Sequence, residues 1–186
     1  MAQLSFTFET PSALLTPDEI FGLDDHSEIW RRLEEGRCWE RKPPGFHPKA
    51  PGEYLSMWAN TVPTGGLIAI GVEDDGTISG CHKLNQNQIN ALEKAAFVYC
   101  SEARMQTKMV PLRAKDGCES FIMLFRDFFR EDKVVLDSGG NAFSRIGDSK
   151  HKLTEHEVRE MQNDKGQIAF EQESCPLDYP SDFDHR

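Results

Sequence analysis

Apolar residues recur along this chain with two different periods, and each change of period marks an element. Thr16-Pro17-Asp18-Glu19 has the signature of a helix start: a capping threonine, proline at the first helical position and glutamate three residues after the cap. Asp24 to Ser27 offers a second cap, and Ile29, Trp30 and Leu33 follow at helical spacing until Gly36. Arg37 to Lys42 reads as a short strand, and Pro43-Pro44-Gly45 forces a loop after it. Tyr54, Leu55, Trp58 and Ala59 share one side of a helix that ends near Asn60-Thr61. Leu67 to Val72 is almost wholly apolar, which predicts a strand buried on both faces. Asp74-Asp75-Gly76 is a hairpin turn, with Thr77-Ile78-Ser79 returning.

Ile89, Leu92, Ala96 and Tyr99 predict one helix from Asn85 to Cys100. Thr107 to Arg113 and Ser120 to Phe125 are two strands joined at Asp116-Gly117. Val134-Val135-Leu136 and Ala142 to Ile146 flank a turn at Ser138-Gly139-Gly140-Asn141. Thr154 caps a last helix, with Glu157 three residues on and Val158 and Met161 on its apolar side. Irregular alternation with several hairpins predicts an α+β fold: a mixed, mostly antiparallel sheet with flanking helices.

Composition narrows the class. The chain has 186 residues, 38% hydrophobic and 28% charged, enough apolar material for one core and too much for a disordered chain. No apolar run approaches the ~20 residues of a membrane span, and Met1-Ala2-Gln3-Leu4-Ser5 lacks the character of a signal peptide. Cysteines at 38, 81, 100, 118 and 175 are odd in number and lack metal-ligand spacing, which points to reduced thiols in a cytoplasmic protein. The histidines at 26, 47, 82, 156 and 185 show no ligand spacing either.

The net charge is −10, but it sits at the ends. Residues 1–30 carry six acids and no Lys or Arg, and residues 164–186 carry six acids against Lys165 and Arg186. The middle is therefore near neutral, which argues against tight indiscriminate DNA binding but leaves room for a local basic surface.

Chemistry concentrates between Glu35 and Gly80. Glu40 and Lys42 lie two apart on a strand and so share a face. Glu35 precedes that strand, and Asp74 lies in the turn that closes the apolar strand. Carboxylates that meet beside a lysine suit Mg²⁺ or Mn²⁺, and lysine suits the charge of a phosphodiester under attack. Glu34 and Glu73 would substitute if the register slips by one. Asn60, Gly65 and Gly66 form a second candidate, for a cofactor phosphate or simply a tight turn. Lys150, His151 and Lys152 follow Arg145 and could meet RNA phosphate or water. Trp30, Trp39, Trp58, Phe46 and Phe97 could stack on bases or fill the core. There is no P-loop motif, no EF-hand and no nucleophilic triad.

In order and spacing, Glu35, Glu40-Arg41-Lys42, Met57-Trp58-Ala59-Asn60-Thr61, Gly65-Gly66, Gly71-Val72-Glu73-Asp74-Asp75-Gly76 and Arg145-Ile146-Gly147 together resemble the Schlafen-type AlbA_2 domain, once called a divergent AAA domain. The resemblance covers roughly residues 31–165. It divides the chain into an acidic N-terminal extension over 1–30, an AlbA_2-like domain over 31–165 and an acidic tail over 166–186. The chain departs from the pattern at Arg41, where an apolar ring is usual, at the longer link Val62-Pro63-Thr64, and at Glu73. It also lacks the zinc-ligand cysteines and histidine of animal Schlafens. The resemblance implies a metal-dependent endoribonuclease acting on transfer RNA or similar structured RNA. Its three metal-binding acids would be Glu35, Glu40 and Asp74, with Lys42 beside them and Arg41, Arg145, Lys150 and Lys152 meeting RNA. It equally implies a noncatalytic alternative, an ATP- or nucleic-acid-binding regulatory module. Expected partners are structured RNA, a nucleotide or a second copy of the chain, and no membrane.

Overall fold

The computed structural model describes residues 15–172 apart from Ser27, Glu34, Glu35 and Asp148, and describes Arg31, Arg32 and 167–172 by their backbone alone. The elements run α1 (Pro17–Gly22), α2 (Ile29–Arg32), β1 (Trp39–Lys42), α3 (Ala50–Thr61), β2 (Gly66–Ile70), α4 (Gln86–Glu93), α5 (Ala95–Tyr99), β3 (Arg104–Arg113), β4 (Glu119–Phe128), β5 (Phe143–Ile146), β6 (Ser149–Lys152) and α6 (Glu155–Gln172). The main sheet has the order β1-β2-β4-β3, and β5 and β6 make a separate hairpin. β1 runs parallel to β2, pairing Glu40 with Ile68 and Lys42 with Ile70. The other main-sheet pairs are antiparallel. The fold is α+β, as the sequence pattern predicts.

Every residue of β2 is buried. The strand is covered twice, which explains its unbroken apolar run. Ile68 and Ile70 face Met57 and Trp58 of α3, with Met123 and Phe125 of β4 beside them. Leu67 and Ala69 face the other way, toward Ile20 of α1 and Trp30 of α2. α1 and α2 thus pack on the second layer of the core: Ile20 is fully buried, and a bond from Arg126 to Asp18 (Nε to Oδ1, 2.8 Å) ties α1 to the sheet. Residues 1–14 lie outside the described residues.

Two local predictions differ from the structure. The expected single helix over Asn85–Cys100 divides at Lys94 into α4 and α5, although no Gly or Pro stands there. The redirection lets Ala96 and Cys100 pack on Leu55 and Ala59 of α3. Val134 to Leu136 is not a strand; β5 pairs instead with β6. The backbone of Val135 is satisfied by a side chain: its N–H donates to Asn60 Oδ1 at 2.8 Å, and its carbonyl accepts from Asn60 Nδ2 at 2.9 Å and Ser56 Oγ at 2.8 Å. Buried amides must find partners, and α3 supplies them here. The capping boxes at Thr16 and Thr154 form as expected.

Asp127, near the end of β4, is fully buried, and neither carboxyl oxygen meets a donor at hydrogen-bonding geometry. Burial pushes its pKa well above the usual carboxylate range; weaker pulls from the Phe128 and Ala59 amides and the Arg126 charge do not offset this. The folded chain therefore holds a proton there that the unfolded chain releases above about pH 4. Stability must fall as pH rises from there through the raised folded value. Asp127→Asn, neutral throughout, is expected to flatten that decline in thermal melts and to raise Tm at pH 8 by about 2–4 °C for each ~1 kcal/mol removed. An unchanged pH slope in the variant would assign the decline to another group.

Candidate functional site

β1 is an edge strand, and its alternation sends Glu40 and Lys42 to the α3 side while Trp39 packs on the opposite layer. Lys42 Nζ donates to Glu40 Oε1 at 2.6 Å. Tyr54 of α3 donates its hydroxyl to the same oxygen at 3.0 Å. Among the described residues Glu40 Oε2 accepts no hydrogen bond. The Lys42 ammonium lies 5.5 Å from the Tyr54 ring centre and 5.9 Å from that of Phe46. Burial, and next the Glu40 charge, raises the Tyr54 pKa, so the hydroxyl stays a donor.

Lys150 of β6 reaches the same cluster. Its ammonium stands 4.6 Å from the Tyr54 ring centre and pairs with Glu53. Tyr54 therefore carries two lysines, one from β1 and one from the β5–β6 hairpin. Tyr54 was legible in sequence only as an apolar helix position. The overlooked signal is that a half-buried tyrosine needs a partner for its hydroxyl, and one turn before Trp58 it faces the strand that carries Glu40.

The remaining predicted residues are distributed differently. Gly71 and Val72 both donate to the Lys42 carbonyl, at 2.8 and 3.2 Å, so the turn after β2 stands at the C-terminal end of β1. Asp74 is exposed in that turn. Hydrogen bonding from Thr77, by its side chain first and then by its N–H at 2.8 Å, holds the neighbouring Asp75 carboxyl below the usual range. Arg41 donates to the Trp30 carbonyl at 3.1 Å, on the layer away from Glu40. Arg145 turns inward, donating to the Gly36 carbonyl at 3.0 Å and the Gly147 carbonyl at 3.2 Å. It braces the backbone next to Glu35, which itself lies outside the described residues, as does Glu34. Lys152 is exposed. Of the candidate stacking aromatics, Trp30 and Trp58 are core residues and Phe97 is exposed.

Asn60, Gly65 and Gly66 are occupied by packing rather than shaped as a phosphate cradle. Asn60 is buried, and its amide is shared among Ser56, Val135 and Phe143. Gly65 has φ +65°, and a Cβ there would lie 2.1 Å from the Asp127 carbonyl. A Cβ on Gly66 would lie 2.0 Å from the Trp58 ring. The close packing at the two glycines and the bonds of Asn60 account for these residues as a tight turn and a clasp.

No family model and no curated protein matches the chain. Among solved structures the fold is similar to the DIP2311 protein from Corynebacterium diphtheriae, with a TM-score of 0.49 and 19% identity. That similarity covers 74% of this chain and 31% of the other, so the chain spans about a third of that protein. At this level nothing about activity transfers. No described helix is long and apolar enough to cross a membrane. The described cysteines, 38, 81, 100 and 118, are free thiols. Burial raises Cys81 to about 11 and Cys100 to about 12, which removes both as nucleophiles.

Asn60→Ala separates the structural role from a ligand role. It strands the buried amide of Val135 and the Phe143 carbonyl, and is expected to cost about 3 kcal/mol, a Tm loss of roughly 6–12 °C. A variant that melts with the wild type would show that Asn60 is not the clasp between α3 and β5.

Proposed function

We propose that this chain is a nucleic-acid-processing domain of the Schlafen type, which cleaves transfer RNA or similar structured RNA with a divalent metal. The observation that supports this reading is the Glu40–Lys42–Tyr54 cluster on an edge strand, joined by Lys150. It sets one carboxylate, paired with Lys42 through one oxygen and with the other oxygen to spare, beside a tyrosine that a second lysine, Lys150, also approaches. Hard divalent cations take oxygen ligands and keep several waters, so this donor chemistry fits Mg²⁺ or Mn²⁺. Glu40 and Asp74 would hold the ion, with Glu35 as the third acid. When bound, the ion lowers the pKa of a water and neutralises phosphate charge.

The chain's own residues divide the remaining work. Tyr54 holds Glu40 Oε1 against α3, which leaves Oε2 for the ion. Lys42 leaves Glu40 Oε1 for a phosphate oxygen as RNA arrives, adding positive charge where negative charge develops. Lys150, already drawn over the Tyr54 ring, meets a neighbouring phosphate and positions the backbone. Arg145 fixes the turn at Gly36 and so positions the Glu35 segment.

One observation favours the noncatalytic reading, a nucleotide- or nucleic-acid-binding regulator: Glu40 is already neutralised by Lys42. The two readings part in a cleavage assay. Transfer RNA incubated with the chain and Mn²⁺ is expected to be cut, with the rate falling about 10²–10³-fold in Glu40→Ala and Asp74→Ala and about tenfold in Lys42→Ala. Intact RNA with both metals, together with a Tm rise on adding ATP or oligonucleotide, would replace the nuclease by the regulator.

A further inference from the structure

At the end of the sheet that carries the turn of Asp74, three side chains from two distant segments converge. His82 follows the hairpin after β2, and Asp116 and Cys118 belong to the β3–β4 turn. One ligand atom from each lies within 4.8 Å of the other two. We propose that His82, Asp116 and Cys118 form a binding site for a borderline divalent metal, zinc above all.

The donor set is the first argument. Imidazole and thiolate select zinc-like ions over magnesium, and one carboxylate completes three protein ligands with a fourth position left to water. The geometry of His82 is the second. Its Nδ1 lies 2.9 Å from Ser120 Oγ, and its Nε2 is buried and takes no hydrogen bond. In the tautomer whose Nδ1 proton is donated to Ser120, the Nε2 lone pair faces Asp116 Oδ2 at 3.3 Å. A metal ion can then take the place of the proton that the other tautomer would share with Asp116. Two metal bonds of about 2.0–2.1 Å at a tetrahedral angle span ~3.3 Å. Ser120 then acts as the outer partner that fixes the tautomer.

Both segments are held in place without a metal. Cys81 N–H donates to the Phe121 carbonyl at 2.8 Å, and His82 N–H donates to Ser120 Oγ at 3.2 Å. Gly80, at φ +69°, lets the loop approach Ser120 so closely that a Cβ would lie 2.1 Å from its hydroxyl. In the facing turn, Cys118 N–H donates to Asp116 Oδ1 at 3.1 Å. Asp116 and Cys118 are exposed, so Cys118 is free to close on an ion. Lys83, 3.4 Å from Asp116 Oδ2 on a side chain 78% exposed, swings out as the ion enters.

The test uses the full chain under reducing conditions with Co²⁺ and Zn²⁺ alone as probes. The expected result is one Co²⁺ per chain with a thiolate charge-transfer band and tetrahedral visible bands, displaced by Zn²⁺. His82→Ala, Asp116→Asn and Cys118→Ser should each weaken binding at least tenfold, with the thiolate band lost in Cys118→Ser. Ser120→Ala should weaken it about tenfold, as outer partners do. Cys38→Ser and Cys175→Ser should bind as wild type. No thiolate band, or a band that survives in Cys118→Ser and disappears in Cys38→Ser or Cys175→Ser, would overturn the proposal. Far-ultraviolet circular dichroism of each variant confirms that a loss of binding is not a loss of fold.

Discussion

The ring of Trp58 packs against the bare backbone of Gly66, at a distance no other residue at 66 would allow. That contact seats α3 directly on the central strand. The indole then donates its Nε1–H to the Arg37 carbonyl at 2.9 Å, and Leu67 N–H donates to the Cys38 carbonyl at 2.8 Å. The segment leading into β1 is thus fixed from the helix and from the strand together. Once β1 pairs in parallel with β2, its alternation has no freedom left. Glu40 and Lys42 must face α3, where Tyr54 waits one turn before Trp58. The site and the core are consequences of one packing event.

The same arrangement concentrates polarity in unusual places. Ser56, Asn60 and Thr61 lie on the inner side of α3, and each holds backbone of the segment from 135 to 145: Ser56 Oγ accepts the Phe143 N–H at 3.0 Å and Thr61 Oγ1 accepts the Arg145 N–H at 3.0 Å. These bonds replace the sheet ladder that the 134–136 segment never joins. On β4, consecutive charged residues go to opposite faces. Arg126 is satisfied by Asp18 and by the Thr64 and Gly66 carbonyls, whereas Asp127 enters the α3 side alone. Buried polar groups with full hydrogen bonding specify a single arrangement, and a lone carboxyl costs stability.

Much of this was legible from residue patterns, and the failures have physical causes. The apolar run Leu67–Val72 could only be a doubly covered strand. The boxes at Thr16 and Thr154 announced their helices through local bonds. The division at Lys94 could not be read, because tertiary packing of Ala96 and Cys100 on α3 decides it and no local breaker marks it. Val134 to Leu136 has strand composition, but its hydrogen bonds go to Asn60, a residue 75 positions away. Asn60 itself looked like a helix end or a ligand, since nothing local shows what its amide will hold. At the site, the shared face of Glu40 and Lys42 followed from period two. The arrival of Lys150 and Tyr54 did not, nor did the meeting of His82 with Asp116 and Cys118, which no sequence spacing encodes.

The proposed chemistry requires the Glu40 carboxylate to be an ion-binding group rather than half of a closed surface pair. Titrating Mn²⁺ into the ¹⁵N-labelled protein and following paramagnetic broadening of backbone amides tests this without any substrate. The amides of Glu40 to Lys42, Tyr54 and Asp74 are expected to broaden first, at a fraction of an equivalent of metal, and Glu40→Gln is expected to abolish the effect. If those amides stay sharp while others broaden, or if Glu40→Gln changes nothing, the cluster on β1 is a structural ion pair and the proposed chemistry does not belong there.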